Sequence, residues 1–183
     1  MKVDIFNTDK KYDIIYADPP WKYGTRKNNT RFGKGAGGHY PLMSMSEIER
    51  LPIPTISAKN AALFLWVTFP LLDKQIRLFE KWGFEYKTLG FSWIKTNQVN
   101  HNPCFGVGYY AKSNCEVCLL GVKGKMKPIS NKVSSCIISE RREHSRKPDE
   151  VREKIVELFG DRPRIELFAR EYADGWDCWG NEV

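Results

Sequence analysis

The segment YDIIYADPPW, residues 12–21, sets the first expectation for the fold. Its apolar half, YDIIYA, predicts a buried strand that ends abruptly at Asp18, Pro19 and Pro20. Open α/β sheets bind their ligands beyond the carboxyl ends of the strands. A carboxylate and two prolines in this place therefore predict a functional site directly after the first strand.

Outside this segment, apolar runs alternate with stretches of helical periodicity. The runs predict further strands at residues 61–67, 86–95, 115–123 and 164–169. The periodic stretches predict helices at residues 44–51, 71–82 and 148–159, capped by Ser44 or Ser46 and stopped by Gly83 and Gly160. We therefore expect one α/β domain over residues 1–183, with a mostly parallel sheet and helices on both of its faces.

The composition narrows the class of protein. The 183 residues are 42% hydrophobic and carry a net charge of +7, which suits one packed domain and favours a polyanionic partner, with simple solubility as the alternative. No run of about 18 apolar residues occurs and the start lacks a signal-peptide core, so we expect no membrane span and a cytoplasmic location. The five cysteines form no regular framework, and the lone pair Cys115 and Cys118 does not indicate zinc.

Two groups of basic residues are candidates for contacts with phosphates. One lies in the long glycine-rich loop 22–41, whose stretch GKGAGG lacks the Lys-Ser/Thr of a P-loop. The other group consists of Lys123, Lys125, Lys127, Arg141, Arg142 and Arg146. Each charge taken singly is more typical of a solvated surface, so the interpretation depends on how the fold arranges them.

The residues after the first strand suggest a chemistry. The Asp18 carboxylate and a carbonyl of the rigid Pro19-Pro20 turn are acceptors that can hold an amino group such as that of adenine, a poor nucleophile because its lone pair is delocalised into the ring. Trp21 offers a flat apolar face for an extruded base. The alternative is a strand-ending turn with a buried tryptophan, and four residues alone leave both interpretations open.

Eight segments together carry a resemblance to a known family. They are ADPPW at 17–21, HYPLMS at 39–44, LFLWVT at 63–68, WIKTNQ at 93–98, CLLGVKG at 118–124, HSRKPDE at 144–150, IELFAR at 165–170 and W-x-x-x-G-N at 176–181. Because these segments occur in the order and with the content of that family, the chain resembles the MT-A family of DPPW adenine N-6 methyltransferases. In its short length it resembles the bacterial and phage DNA-type members of that family. The resemblance implies a Rossmann-like class I methyltransferase domain with circularly permuted motif order, S-adenosyl-L-methionine as cofactor and nucleic acid as partner.

The resemblance also implies roles for single residues. The catalytic motif that holds the target adenine is Asp18, Pro19, Pro20 and Trp21. Substrate contacts are implied for Tyr40, Asn97 and Glu116. Cofactor contacts are implied for Asp18, Lys147, Leu167, Phe168, Arg170 and Asn181. We expect direct in-line transfer without a covalent enzyme intermediate and without a metal.

Three positions depart from the family pattern. Tyr172-Ala173 stands where the family has a histidine-asparagine pair, and Glu182 stands where a glutamine often follows. The acidic residue upstream of DPPW has no clear counterpart, with Asp4-Ile5 as a candidate at shortened spacing. The polar contacts to the ribose must therefore differ from those of the family or come from elsewhere.

Two alternatives remain at the level of the sequence. DNA is favoured over RNA only by the short length of the chain, which is an argument from analogy. A catalytically inactive scaffold subunit is the alternative to an enzyme, although such subunits typically have a degenerate DPPW motif. Because little surface lies outside the core, recognition is expected to involve a homodimer or a partner subunit.

Overall fold

The structure is a computed structural model that describes residues 1–22, 41–106, 110–142 and 146–183. The strands in these ranges are β1 Tyr12–Ala17, β2 Ser57–Val67, β3 Glu85–Thr96, β4 Cys115–Lys123, β5 Cys136–Glu140, β6 Arg164–Leu167 and β7 Asp177–Trp179. The α-helices are α1 Met45–Glu49, α2 Ile53–Ile56, α3 Leu72–Lys81 and α4 Glu150–Phe159, and a 3-10 turn, Phe69–Leu71, follows β2.

The strands form one sheet in the order β5-β3-β4-β2-β1-β6-β7, and most neighbours in it are parallel. β1 runs parallel to β2 and β6, β6 to β7, and β3 to β5. β4 runs antiparallel to both of its neighbours, β2 and β3. The carboxyl ends of the parallel strands and the start of β4 therefore share one end of the sheet, here called the Asp18 end. The other end, where β4 finishes, is the Lys123 end.

Helices cover both faces of this sheet. Successive residues of a strand point to opposite faces, so Leu63 and Phe64 of β2 belong to different apolar layers. Leu63 packs in a layer with Ile48 of α1 and Leu78 of α3, whereas Phe64 packs in a layer with Ile155 of α4. The predicted α/β architecture, mostly parallel and Rossmann-like with helices on both faces, is confirmed.

Several predicted elements have their local causes in the structure. β1 and β4 have the predicted bounds. Ser44, one of the two predicted caps, begins α1: its hydroxyl accepts from the backbone N–H of Glu47, and the Glu47 carboxylate accepts from the N–H of Ser44 at 2.7 Å. Gly83 and Gly160 follow α3 and α4 with φ of 78° and 87°, a conformation that favours glycine and stops a helix.

Other elements differ from the prediction. α2, β5 and β7 were not predicted, and β2 begins at Ser57, four residues before the predicted start. α4 begins at Glu150, two residues after the predicted start, because Asp149 is its N-cap and Pro148 precedes the cap. β6 ends at Leu167, because Phe168 has a φ of 61°, which a strand does not accommodate.

The basic residues do not gather into one surface. Lys123 pairs with Ala61 at the Lys123 end, six residues along β4 from Val117, or about 20 Å at the rise of a strand. Arg141 lies at the Asp18 end, where its N–H donates to the carbonyl of Thr96 at 3.0 Å. Residues 23–40 of the glycine-rich loop lie outside the described residues. Lys123 and Arg141, two members of the same predicted group, therefore lie at opposite ends of the sheet, and phosphate contacts by either group stay a prediction.

Among the described residues, no helix combines the length and the apolar character needed to cross a membrane.

Candidate active site

A cavity of about 930 Å³ opens at the Asp18 end of the sheet. Three parts of the chain supply most of its wall: the DPPW turn after β1, the residues after β2, and the segment after β6. The start of β4, Lys147, residues 41–43 and part of the segment before β4 also line it. The site thus forms where the parallel strands end, which is the place that the first segment of the sequence predicts.

The DPPW turn is held by backbone hydrogen bonds. The carbonyl of Pro19 accepts from the N–H of Trp21 at 2.9 Å, and the carbonyl of Pro20 accepts from the N–H of Met43 at 2.8 Å. The indole N–H of Trp21 donates to the carbonyl of Trp66 at 3.1 Å, and Trp21 is 5% exposed. A carbonyl oxygen has two lone pairs, so that of Pro19 retains one acceptor position for a further donor.

Four charged side chains form a chain of ion pairs along the cavity wall. Lys147 Nζ lies 2.7 Å from Asp18 Oδ2 and 3.1 Å from Glu116 Oε2. The other oxygen of Glu116 pairs with Lys95. Asp18 comes from the end of β1, Glu116 from β4 and Lys95 from β3, so that three strands fix the position of Lys147.

The ion pairs affect the pKa values of the two carboxyl groups differently. Burial raises the pKa of Asp18, against the opposing effect of the Lys147 ammonium. Burial acts in the same direction on Glu116, but Lys147 and Lys95 together outweigh it and lower the pKa of that carboxyl. Burial alone would lower the pKa of Lys147, and the two carboxylates reverse this and raise it. Lys147 is therefore charged at neutral pH, and the pKa values of the two carboxyls are shifted in opposite directions.

An indole ring supports the same lysine. Lys147 Nζ lies 5.2 Å from the ring centre of Trp66, within the range of a cation–π contact. The Trp66 indole N–H donates to the hydroxyl of Tyr16 at 2.8 Å, and both residues are almost fully buried. The core beneath the cavity thereby fixes the plane on which the ammonium rests.

The third part of the wall follows β6. Phe168 lines the cavity and packs edge-on against Trp179, with ring centres 5.3 Å apart. Gly180 passes so close to Ala169 that a Cβ in its place would overlap the Ala169 carbonyl oxygen and lie 2.7 Å from its nitrogen. Arg170 Nε lies 3.8 Å from Glu182 Oε1. This region offers an aromatic wall beside a guanidinium and a carboxylate.

The sequence matches the MT-A70 family over residues 12–182. This chain belongs to that family.

Relatives of MT-A70 type include bacterial and eukaryotic proteins. The chain is 37% identical to the Type II methyltransferase M.MunI of a Mycoplasma species, over 95% of this chain and 78% of that protein. It is 30% identical to the N(6)-adenosine-methyltransferase catalytic subunit METTL3 of Homo sapiens, over 94% of this chain and 28% of that protein. A putative N(6)-adenosine-methyltransferase of Medicago truncatula is 32% identical over 94% of this chain and 26% of its own length. The chain thus spans about a quarter of these two eukaryotic relatives. Membership in the family fits N-6 methylation of adenine in DNA or RNA.

The structure brings most of the residues that the MT-A70 resemblance singled out to one place. Nine of them line the cavity: Asp18, Pro19, Pro20, Trp21, Glu116, Lys147, Phe168, Arg170 and Asn181. Leu167 is fully buried in an apolar layer under the cavity. Tyr40 lies outside the described residues.

Asn97 is not among the described residues that line the cavity. It sits at the base of the turn after β3, where its amide donates to the carbonyl of Asn102 at 3.3 Å and its side-chain oxygen accepts from the Cys104 thiol. Asp4, the candidate for the upstream acidic residue, accepts from the N–H of Phe6 on the surface. The substrate role of Asn97 stays a prediction without support from its position.

Sequence reasoning assigned no role to three residues that shape this MT-A70 site. They are Lys95, Trp66 and Gly180, and all three lie inside the quoted motifs. Lys95 and Trp66 act on Lys147 from strands that are distant in the sequence, which no local pattern reveals. The glycine of W-x-x-x-G-N was a usable signal, since glycine is the usual residue where two backbone segments approach closely.

Proposed function

We propose that this protein transfers a methyl group from S-adenosyl-L-methionine to the 6-amino group of adenine in DNA. The observation that carries the proposal is the partly buried Asp18–Lys147 pair in the wall of the cavity, where Asp18 directly precedes two prolines whose carbonyls are held by hydrogen bonds. An acceptor of this kind suits a target that must be held through its N–H groups. We take residues 1–183 as one methyltransferase domain.

The residues around the cavity fit this cofactor by their chemistry. S-adenosyl-L-methionine combines an adenine ring, a ribose and a charged amino-acid part, so its site needs an apolar wall, hydrogen-bonding groups and charges. Phe168 and Trp179 supply the wall, and Arg170 and Asn181 supply polar groups close by. A volume of about 930 Å³ is at the upper end of ligand sites and suits both a cofactor and a base.

The chain's own residues would position and polarise the amine. When bound, the cofactor supplies an electrophilic methyl group on a sulfonium. Asp18 and the free acceptor position of the Pro19 carbonyl hold the two N–H groups, which directs the nitrogen lone pair toward the open part of the cavity. Transfer would form the N–C bond as the S–C bond breaks, and S-adenosylhomocysteine would be the product that leaves. Because the pKa of Asp18 is raised, its carboxylate can take up the proton that the nitrogen loses and release it to water.

The choice of DNA rests on the relatives. The Type II methyltransferase is matched over 78% of its length, whereas the relatives named for adenosine, a ribonucleoside, are matched over about a quarter of theirs. RNA is the alternative substrate that the same chemistry allows. The cytoplasmic location and a homodimer or partner subunit remain predictions.

The test is transfer of labelled methyl from S-adenosyl-L-methionine to unmethylated DNA and RNA oligonucleotides, followed by analysis of the nucleosides. We expect label in N-6-methyladenine from the DNA. Label in the RNA alone would replace the substrate, and label in another base would overturn the proposal. Calorimetric titration with S-adenosylhomocysteine separates an enzyme from an inactive scaffold, since a scaffold is expected to bind no cofactor.

A further inference from the structure

Two exposed aromatic rings line the cavity, and a third lies in the same segment of the chain as one of them. Phe69 and Tyr110 are 53% and 98% exposed, and both line the cavity. Phe105 is 68% exposed and belongs to the same excursion of the chain as Tyr110, here called the arm, residues 97–106 and 110–114 between β3 and β4. Apolar rings grouped at an opening mark a binding surface more often than they serve the fold.

Phe69 and Tyr110 lie in segments that adjoin two neighbouring strands of the sheet. Phe69 follows the end of β2, and the arm returns to the sheet at the start of β4. β2 and β4 are paired, with Val67 opposite Val117. Both rings therefore project from the Asp18 end, on the side of the cavity that faces away from Phe168 and Arg170 in the sheet order.

The arm is anchored to the sheet by its backbone. The N–H of Lys95 donates to the carbonyl of Asn114 at 3.1 Å, and the N–H of Cys104 donates to the carbonyl of Lys95 at 2.7 Å. Gly106 and Ser113 form an antiparallel bridge, and a Cβ at Gly106 would lie 2.9 Å from the Ser113 carbonyl. The described parts of the arm are thus tied to the end of β3 and to each other by backbone contacts.

A cation accompanies the rings. Lys112 Nζ lies 5.3 Å from the ring centre of Phe105, and Lys112 is itself exposed. Rings on which bases stack, interleaved with cations that meet phosphates, are the combination by which proteins hold single-stranded nucleic acid. The charge of this surface is complementary to a nucleic acid strand.

We propose that Phe69 and Tyr110 stack on the bases next to the target adenine, and that Phe105 and Lys112 continue this track along the strand. The protein then binds several unstacked nucleotides of one strand and not the target base alone. The inference rests on the proposed function for the identity of the target, but the binding it describes requires no methyl transfer.

The test compares binding and turnover in matched variants. Phe69→Ala, Tyr110→Ala and the double variant are titrated against fluorescein-labelled single-stranded 12-mers with one central adenine and flanks randomised over the other three bases, with anisotropy as the readout. Tyr86→Ala is the control, since Tyr86 is a 40% exposed aromatic residue opposite Gly121, toward the Lys123 end. Phe69→Ala and Tyr110→Ala, here called the rim variants, are each expected to weaken binding about tenfold, which is the loss typical of one stacked base. The control variant is expected to bind with unchanged affinity.

Titration with S-adenosylhomocysteine and a thermal melt accompany each variant, and both are expected to match the wild type. Kinetics on the same 12-mers is expected to show a raised KM with little change in kcat. Binding of the 12-mers at wild-type strength by the double variant would overturn the proposal, as would a changed oligomeric state as the sole effect of that variant.

The two proposals fail separately. Loss of 12-mer binding in the rim variants of a protein that methylates none of the oligonucleotides would retain the stacking surface and reject the activity. Normal methylation with unchanged binding in the rim variants would retain the activity and reject the surface.

Discussion

An aspartate lies at each end of β1: Asp13 is its second residue and Asp18 directly follows its last. Their side chains are equally exposed, but the cations that they pair with differ. The side chains of Asp13 and Asp18 are each 27% exposed, and each has a cation within reach. The partner of Asp13 is Arg162, at 3.3 Å and itself 41% exposed. The partner of Asp18 is Lys147, at 2.7 Å, 12% exposed and shared with Glu116. The position of each aspartate along the strand therefore determines whether its carboxylate lies on the protein surface, like that of Asp13, or lines the cavity, like that of Asp18.

The strongest test of this contrast removes each carboxylate in turn. Asp18→Ala is expected to lower kcat for methyl transfer by about 10² to 10³-fold or more, because the amine loses its acceptor at the reacting centre. Asp13→Ala removes the same group from the same strand and is expected to retain wild-type kcat. The measurement is single-turnover transfer of labelled methyl, with circular dichroism for the fold. Near-normal turnover in Asp18→Ala would remove the catalytic assignment.

The cations of the two pairs give the second test. Lys147→Met is expected to weaken cofactor binding about 10- to 100-fold, the loss of a charged hydrogen bond, whereas Arg162→Met is expected to leave it unchanged. The ammonium now opposes the rise in the pKa of Asp18. Its removal therefore raises that pKa further, and the acidic limb of kcat/KM against pH should move to higher pH. A limb that stays in place would show that Asp18 does not titrate in this profile.

Two glycines extend the comparison from charge to packing. Gly180 at the Asp18 end and Gly124 beside the Lys123 end both press against backbone, Gly180 on Ala169 and Gly124 on Lys59, and Gly124 has a φ of 64°. Alanine at either position is expected to lower the free energy of unfolding by about 1–3 kcal/mol. In chemical denaturation the two should look alike. Calorimetry with S-adenosylhomocysteine should distinguish them, with affinity lost in Gly180→Ala alone.

The smallest expected effect concerns the surface charges. Arg141→Ala at the Asp18 end is expected to reduce the slope of log K against log salt for DNA binding by about 0.7–0.9, the contribution of one phosphate contact. Lys125→Ala is expected to leave the slope unchanged, because Lys125 lies at the Lys123 end, away from the cavity. Its backbone N–H donates there to the side chain of Asn60, near the start of β2. Equal slopes for the two variants would place the nucleic acid across both ends of the sheet.

The sequence predicted the parts of the fold whose causes are local. The apolar run before Asp18, the capping serine of α1 and the glycine stops at Gly83 and Gly160 are each readable within a few residues. β5 was missed because it is an outer strand among the described residues, where it pairs with β3 and exposes Ile138, so it lacks an uninterrupted apolar run. The direction of β4 is a property of its partners and leaves no mark in its own residues.

The site divides along the same line. The motif residues could be found because a family resemblance carried them, and the structure brings most of them to one cavity. The link from Lys95 through Glu116 to Lys147 joins two distant motifs through a residue at the start of β4, and only the folded chain shows that they meet. The separation of Lys123 from Arg141 could not be predicted either, since the two lie close in sequence and at opposite ends of the sheet.

The reversed direction of β4 has a consequence for how this protein can diversify. Because β3 ends and β4 begins at the Asp18 end, the arm leaves and re-enters the sheet beside the cavity without a crossover. Residues added to or removed from the arm alter what the substrate strand meets, while the strands, the two apolar layers and the ion pairs below stay in register. Target preference can therefore evolve, or be engineered, as a change of loop length and sequence that leaves the catalytic machinery untouched.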